Sequence, residues 1–209
     1  MARYIDPVCR QCRRAGEKLF LKGERCFTPR CAVERRKRPP GDPIARRRRV
    51  SDWGVRLREK QKARNIYGVL ERQFRNYFDV ARTQKGATGD ILLQILESRL
   101  DNVVYRLCFA DSRAQARQFV GHGHFTVNGK NVNIPSFMVK PGDVIAWRPK
   151  NGALPKFAQT VLEGGQKRPV PAWLQIDSTA GTGQVISAPE IGSLESGIDA
   201  RLIVEFYSR

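Results

Sequence analysis

Residues 112–132 read SRAQARQFVGHGHFTVNGKNV, and within them an apolar pattern of helical period gives way to one of strand period. In the first part Ala116, Phe119 and Val120 recur at helical spacing, which predicts a short helix. In the second part Asn128-Gly129 stands between two short apolar runs. This dipeptide predicts a β-hairpin, because the two-residue type I′ turn needs two positive φ angles. The stretch therefore predicts a helix packed beside a hairpin.

Upstream of this stretch, residues 51–109 carry apolar residues at helical spacing and predict a helical region. Arg56, Lys60 and Arg64 recur every fourth residue, which predicts one basic helical face. Trp53 is expected to lie in the core together with an apolar stripe on the next helix. That stripe consists of Phe74, Tyr77, Phe78 and Ala81.

Downstream, the turn signal at 141–143 leads into a short apolar run, and the last fifty residues alternate weakly. Arg201–Tyr207 alternates well enough to predict a final β-strand. The expected fold class is α+β with antiparallel strands.

Four cysteines near the N-terminus have the spacing of metal ligands: Cys9 and Cys12 form C-x2-C, and Cys26 and Cys31 form C-x4-C. Two such turns give Zn²⁺ a tetrahedral shell of four thiolates without an open position, so the predicted site is structural. The fifth cysteine, Cys108, is left over. In a reducing compartment this usage favours one zinc ion over disulfides.

Basic residues concentrate in the N-terminal part of the chain. The 209 residues carry a net charge of +18, of which residues 1–50 contribute +11 and residues 151–209 contribute −1. A field of this kind attracts phosphate backbones over long range. Arg46–Arg49 is an uninterrupted basic run between two basic elements, and we expect it to bind phosphate.

The sequence shows neither a secretory leader nor an apolar run long enough to span a membrane, so a soluble intracellular protein is expected. We expect four parts. Residues 1–50 form a zinc-binding basic N-terminal arm, and residues 51–98 form a helical domain. Residues 99–165 form an inserted α+β domain, and residues 166–209 pack back on the preceding domains.

Several motifs resemble those of a known RNA-binding module. Ser112-Arg113-x-x-Ala116-Arg117, Val127-Asn128-Gly129 and Pro141-Gly142-Asp143 resemble the S-four RNA-binding fold. The wider chain resembles the S-four family of bacterial small-subunit ribosomal proteins, in its zinc-binding four-cysteine form. The longest matching runs are Leu57–Lys62, Ile66–Arg75, Arg99–Arg106 and Glu205–Arg209.

The resemblance implies a structural constituent of the small ribosomal subunit and not an enzyme. It implies a primary binder of 16S rRNA that nucleates assembly at a multi-helix junction, in the cytoplasm. It also implies a position near the mRNA entry path, a role in translational accuracy, and contact with neighbouring small-subunit proteins, notably ribosomal protein S-five.

The candidate RNA-binding residues are polar or basic groups of the arm, the first two helices of the helical region, and the predicted helix and hairpin tip of the S-four module. Arginine suits this role because its flat guanidinium bonds two phosphate oxygens at once and stacks on unpaired bases. The candidates are Arg3, Arg10, Arg13, Arg14, Arg46, Arg47, Arg48, Arg49, Arg56, Lys60, Lys62, Arg64, Arg72, Arg113, Gln115, Arg117, His122, Asn128 and Lys130.

Two other functions compete with this interpretation. Some pseudouridine synthases join an S-four module to a catalytic domain whose key Asp lies in Arg-Leu-Asp, and this chain has Arg99-Leu100-Asp101. That tripeptide precedes the module, and the segment after the module is too short for such a catalytic domain. A zinc-finger DNA regulator needs a recognition helix after the cysteines, but Ala32–Arg38 stops at Pro39.

Overall fold

The computed structural model describes residues 3–41, 50–149, 155, 158–159, 168–177, 180–190 and 197–208. The chain forms two compact units: unit 1 comprises Met1–Leu92 with Gly197–Arg209, and unit 2 comprises Leu93–Ser196. Helices and one antiparallel sheet are both present, which confirms the α+β class. The four-part division remains a prediction. Of the segment 166–209, residues 168–190 belong to unit 2 and residues 197–208 to unit 1.

The helices of the described residues are α1 (Cys9–Ala15), α2 (Ala32–Arg35), α3 (Asp52–Ile66), α4 (Glu71–Thr83), α5 (Thr88–Glu97), α6 (Leu100–Arg106), α7 (Arg113–Gly121) and α8 (Ala200–Tyr207), with a 3₁₀ helix at Gly23–Phe27. The strands are β1 (Phe125–Val127), β2 (Lys130–Asn131), β3 (Val144–Trp147), β4 (Leu174–Asp177) and β5 (Thr182–Val185). In the part of the chain described, no helix is long and apolar enough to cross a membrane.

In unit 1, α4 buries the apolar stripe that its spacing predicts. Phe74, Phe78 and Ala81 are buried, and Tyr77 is partly buried. The ring of Tyr207, on α8, stacks on Phe78 with centroids 4.6 Å apart. The C-terminal helix therefore completes the core of this unit.

The prediction of a final strand over Arg201–Tyr207 is wrong, because these residues lie in α8. The Asp199 side chain accepts a hydrogen bond from the Arg201 N–H (2.9 Å) and caps the helix. Ile203 and Tyr207, four residues apart, then lie on the same helical face. Tertiary packing decides the conformation here over the strand preference of a β-branched and aromatic sequence.

The expectation that Trp53 lies in the core is also wrong, since it is 53% exposed. It occupies the first turn of α3, which Ser51 caps by accepting a hydrogen bond from the Gly54 N–H (3.2 Å). Trp53 contacts Phe206 of α8 with ring centroids 6.1 Å apart. Its ring therefore meets the packed helices at one side and solvent at the other.

Unit 2 contains a five-stranded antiparallel sheet in the order β2-β1-β3-β5-β4. Val127 pairs with Lys130 across the hairpin turn. Asn128 (φ 50°) and Gly129 (φ 76°) both have positive φ, which confirms the hairpin. One apolar cluster joins the sheet to α6 and α7. Its fully buried members include Leu100, Val103, Leu107, Ala116, Val120, Phe125 and Ile145.

Gly183 on β5 allows a close approach that a larger residue would prevent. A Cβ at this position would collide with the side chain of Leu107, whose Cδ2 would lie 2.7 Å away. Leu107 is fully buried and has no free space to move into.

We therefore expect Gly183→Ala to lower the free energy of unfolding by about 1–3 kcal/mol through overpacking, measured by urea denaturation. Gly121→Ala is the matched control, because a Cβ there meets no atom within 4 Å. Equal stability of Gly183→Ala and the wild-type protein would contradict the packing described.

Candidate metal site and nucleic-acid interface

The four N-terminal cysteines line one small cavity in unit 1. Cys9 and Cys12 come from α1 and its first turn, Cys26 from the 3₁₀ helix, and Cys31 from the residue before α2. The cavity has a volume of ≈ 10 Å³, about the space of a single small atom. All four thiols are free of disulfide bonds.

The environment of the thiols matches structural cysteine ligands. Cys12, Cys26 and Cys31 are buried, whereas Cys9 is half-buried. The backbone N–H of Lys22 donates to Cys26 Sγ at 3.3 Å, a bond that favours a thiolate. Burial raises the pKa of the Cys12 and Cys26 thiols, and the neighbouring cysteines add to this effect.

As the side chains are placed, no group of three or more His, Cys, Asp or Glu residues in the described ranges could hold a metal ion. The donor set itself suits Zn²⁺, which prefers four thiolates in a closed site. The four cysteines do not have the positions of metal ligands, but their chemistry fits zinc, because four soft sulfur donors line one cavity.

The cations of the predicted basic face of α3 are paired with carboxylates inside unit 1. Arg56 Nε lies 2.6 Å from Glu205 Oε2, and Lys60 Nζ lies 2.7 Å from Glu71 Oε1. Arg64 Nη1 lies 3.5 Å from Glu71 Oε2. Lys60 is only 4% exposed. The four-residue spacing aligns these side chains along α8 and the start of α4, where carboxylates meet them.

Lys62, on another side of α3, is partly buried too. Its Nζ lies 2.7 Å from Glu17 Oε1 and 3.5 Å from Glu59 Oε1. Burial acts to lower the pKa of Lys62, but the contacts with these carboxylates outweigh it and the pKa is raised. The Glu17 contact also ties the cysteine module to α3.

Glu71 is the carboxylate that holds α8 against α3 and α4. Its Oε1 accepts hydrogen bonds from Lys60 Nζ (2.7 Å) and from the Tyr207 hydroxyl (2.8 Å). Burial acts to raise the pKa of Glu71, but these bonds and the nearby cations outweigh it, so the pKa is lowered. Burial and the Glu71 bond both raise the pKa of Tyr207, which keeps the hydroxyl protonated as the donor.

Arg113 and Arg117 are candidate RNA-binding residues, but they do not face outward from α7. Arg113 is 8% exposed, and its Nε donates to Asn102 Oδ1 at 2.8 Å. Arg117 Nη1 donates to Asp101 Oδ2 at 2.9 Å. The two arginines, one turn apart, point toward α6, because polar groups at the start of α6 are buried there.

A buried polar network holds these groups in place. Glu97, fully buried, accepts hydrogen bonds from Arg106 Nε (2.9 Å) and Nη2 (2.6 Å) and from Asn102 Nδ2 (2.6 Å). Arg99 Nη2 donates to Asp101 Oδ2 at 2.6 Å. Asp101 is 4% exposed and carries two arginines, so its role is to position helices.

The remaining candidates are distributed over both units. In unit 1, Arg13 is half-buried and its Nε donates to Arg38 O at 2.9 Å. In unit 2, Gln115 is half-buried and accepts from the Asp111 N–H at 2.7 Å. The exposed candidates are Arg3, Arg10, Arg14, Arg72, His122, Asn128 and Lys130. The run Arg46–Arg49 lies outside the described residues.

Around the α7–β1 turn of unit 2, exposed polar groups come close together. The rings of His122 and His124 lie 6.0 Å apart. The Arg148 N–H donates to His124 O at 2.8 Å, which places the exposed Arg148 beside this turn. A Cβ at Gly123 would lie 3.5 Å from Asn131 Oδ1, so exposed Asn131 of β2 also borders it.

Sequence reasoning missed Arg148 and Arg168. Arg148 follows a buried strand, and only the pairing of β3 with β1 places it near His124. Arg168 donates to Tyr105 O (3.1 Å) and Ala110 O (2.5 Å), and it lies 4.0 Å from the Tyr105 ring centre. No local pattern signals these contacts, which join segments about sixty residues apart.

Two family models match consecutive parts of the chain. The ribosomal protein S4/S9 N-terminal domain matches residues 3–97, and the S4 domain matches residues 98–145. Among curated relatives, the small ribosomal subunit proteins uS4 of Desulforamulus reducens and Thermus thermophilus are each 55% identical to this chain. That of Heliobacterium modesticaldum is 54% identical. The alignments cover 100% of this chain and 100% of each relative.

We expect Asp101→Ala to lower the free energy of unfolding by about 3–5 kcal/mol, because it removes the buried carboxylate that Arg99 and Arg117 both contact. Guanidinium denaturation followed by tryptophan fluorescence measures the change. Asp79→Ala, which removes an exposed carboxylate, should stay within about 0.5 kcal/mol of wild type. If Asp101→Ala matched that control, the network would not hold α6 and α7.

Proposed function

The chain belongs to the family of ribosomal protein S4, and from that premise we propose that it is a primary binder of 16S rRNA that nucleates assembly at a multi-helix junction. It is a structural constituent of the small ribosomal subunit, acts in the cytoplasm within the ribosome, and is not an enzyme. This conclusion rests on the similarity to the uS4 relatives, which are 55% identical to this chain over its whole length.

The mechanism that we propose is electrostatic and geometric. Carboxylates inside each unit hold one set of cations and fix the helices, as Glu71 does for Lys60 and Glu97 for Arg106. The exposed groups are then displayed on a rigid frame and neutralise phosphates of folded RNA. In unit 2, the RNA-binding surface includes His122, after α7, and Lys130, in β2. In the N-terminal module, Arg10 and Arg14 bind RNA.

Small-subunit ribosomal proteins are its neighbours, and we propose ribosomal protein S-five as one of them. We also propose that the basic N-terminal arm lies near the mRNA entry path and contributes to translational accuracy. The charge of +11 on residues 1–50 supports this placement, because mRNA is a polyanion.

We propose one structural zinc ion held by Cys9, Cys12, Cys26 and Cys31. The shared cavity and the N–H bond to Cys26 Sγ support it. The ion would cross-link the module and stabilise its fold, because the module has too few apolar side chains to form a stable core. Leu19 is the one buried non-cysteine side chain that the described residues 3–41 contribute to the apolar core.

The alternative of an RNA-modifying enzyme gains no support from the geometry. Its candidate Asp101 is buried between Arg99 and Arg117, where a substrate base has no access.

Metal analysis of the purified full-length protein by plasma mass spectrometry should find about one zinc per chain. Cys26→Ser should lose the zinc and open residues 3–41 to protease, while α4 to α7 stay folded, because their cores do not include the cysteines. Cys108→Ser, which removes the cysteine outside the quartet, should keep the zinc. A wild-type protein without zinc and with four freely titratable thiols would contradict the proposal.

Binding to a 16S rRNA transcript should weaken steeply with salt, with a slope of log K against log salt of roughly −0.7 to −0.9 per phosphate neutralised. Lys130→Ala and Arg148→Ala should each reduce the magnitude of that slope by about one such step.

Arg201→Ala is the control, because Arg201 is an exposed cation in the C-terminal part, whose net charge is −1. Filter binding at several salt concentrations measures all three. If neither Lys130→Ala nor Arg148→Ala changed the slope, the surface around the α7–β1 turn would not be part of the RNA interface.

A further inference from the structure

Unit 1 contains an open cleft that the electrostatic mechanism does not use. It has a volume of ≈ 570 Å³, within the range of small-ligand sites. It lies where one side of α3, the start of α4 and the end of α8 meet. Its walls are formed by Trp53, Lys60, Gln61, Arg64, Glu71, Arg75, Phe206 and Tyr207.

One wall of the cleft is aromatic and accessible. Trp53 is 53% exposed, whereas the other two tryptophans of the chain, Trp147 and Trp173, are 3% and 1% exposed. Trp53 and Phe206 stand 6.1 Å apart with their ring planes at 43°, and the Lys60 ammonium lies 4.8 Å from the Phe206 centre. An exposed indole face of this kind can stack on a nucleic-acid base.

The cleft also contains acceptors that lack donors. Gln61 and Glu71 are partly buried, with 43% of the Glu71 side chain exposed, and neither Gln61 Oε1 nor Glu71 Oε2 has a hydrogen-bond donor within the described part of the chain. Arg64 Nη1 lies 3.5 Å from Glu71 Oε2, which is an ion-pair distance but too long for a good hydrogen bond. Because a buried acceptor without a donor is destabilising, the pair favours a ligand that donates.

The charge around the cleft favours an anionic ligand. Arg75, an exposed residue of α4, lines it together with Arg64. Glu71 remains ionised at neutral pH, because its pKa is lowered, and an ionised carboxylate only accepts hydrogen bonds. The ligand that fits is thus an aromatic group with adjacent donors, attached to a phosphate.

We propose that this cleft binds one unpaired guanine of the RNA, with the base stacked on Trp53, its donor edge toward Gln61 and Glu71, and a phosphate beside Arg75. Guanine fits because its Watson–Crick edge carries two neighbouring donors, N1–H and the N2 amino group. Adenine and cytosine each place a donor beside an acceptor, which would meet another acceptor here. Recognition of unpaired bases by stacking and edge contacts is typical of RNA-binding proteins.

The inference rests on the proposed function, since it supposes that the full chain binds 16S rRNA. The test probes that complex with kethoxal, which reacts with N1 and N2 of unpaired guanines. At saturating wild-type protein, at least one guanine should be protected. The same guanine should regain reactivity with Trp53→Ala and with Gln61→Ala at equal occupancy of the RNA, while Trp53→Phe should retain protection.

Val55→Ala is the matched control, because Val55 is an exposed apolar residue of α3 (42%) that does not line the cleft. It should leave the protection unchanged. If Trp53→Ala protects the same guanines as wild type, the cleft holds no guanine and the inference fails, while RNA binding stands. Protection of an adenine or cytosine from dimethyl sulfate in place of the guanine overturns it too. If the wild-type protein does not bind the RNA, both the inference and the proposed function fail.

Discussion

Glu97 and Asp101 are buried carboxylates that bind arginines from three directions, and the arrangement of unit 2 depends on them. A chain with a net charge of +18 cannot bury an arginine without a partner, because an uncompensated buried charge costs several kcal/mol. Glu97 therefore pairs with Arg106, and Asp101 pairs with Arg99 and Arg117. In unit 1, the partly exposed Glu71 links α3 and α8 through Lys60 and Tyr207.

The cations fall into two groups, those paired with carboxylates inside the protein and those exposed to solvent, and this division connects the fold to RNA binding. Cations that carboxylates hold inside the protein are fixed in position and largely neutralised, so they orient helices. Exposed cations such as Lys130 in β2 and Arg148 just after β3 keep their charge for phosphates. A rigid display loses little conformational entropy on binding, which favours one arrangement of the RNA. The cleft at Trp53 would add recognition of a single base to this largely sequence-independent attraction.

Local patterns in the sequence were sufficient for most of the helices and for the hairpin, but not for the pairing of charges. The hairpin at Asn128-Gly129 and the apolar stripe of α4 follow from neighbouring residues, and both are confirmed. The basic face of α3 was visible in the spacing, but its partners were not: Arg56 meets Glu205, 149 residues away, and the Lys60 ammonium lies over the Phe206 ring. The cysteine spacing predicted that four thiols lie close together, and they line one cavity. This prediction was possible because the four cysteines are near one another in the sequence. The C-terminal helix was missed because its packing against α3 and α4 overrides its local strand pattern.

Acetylation of lysines, quantified by mass spectrometry with and without bound 16S rRNA, tests the division of cations most directly. The account predicts that Lys130 is modified in the free protein and protected in the complex, and that Lys60 is protected in both, because it is 4% exposed and bound to Glu71. A Lys60 that is modified in the free protein and becomes protected only when the RNA binds, with Lys130 unaffected, would contradict it.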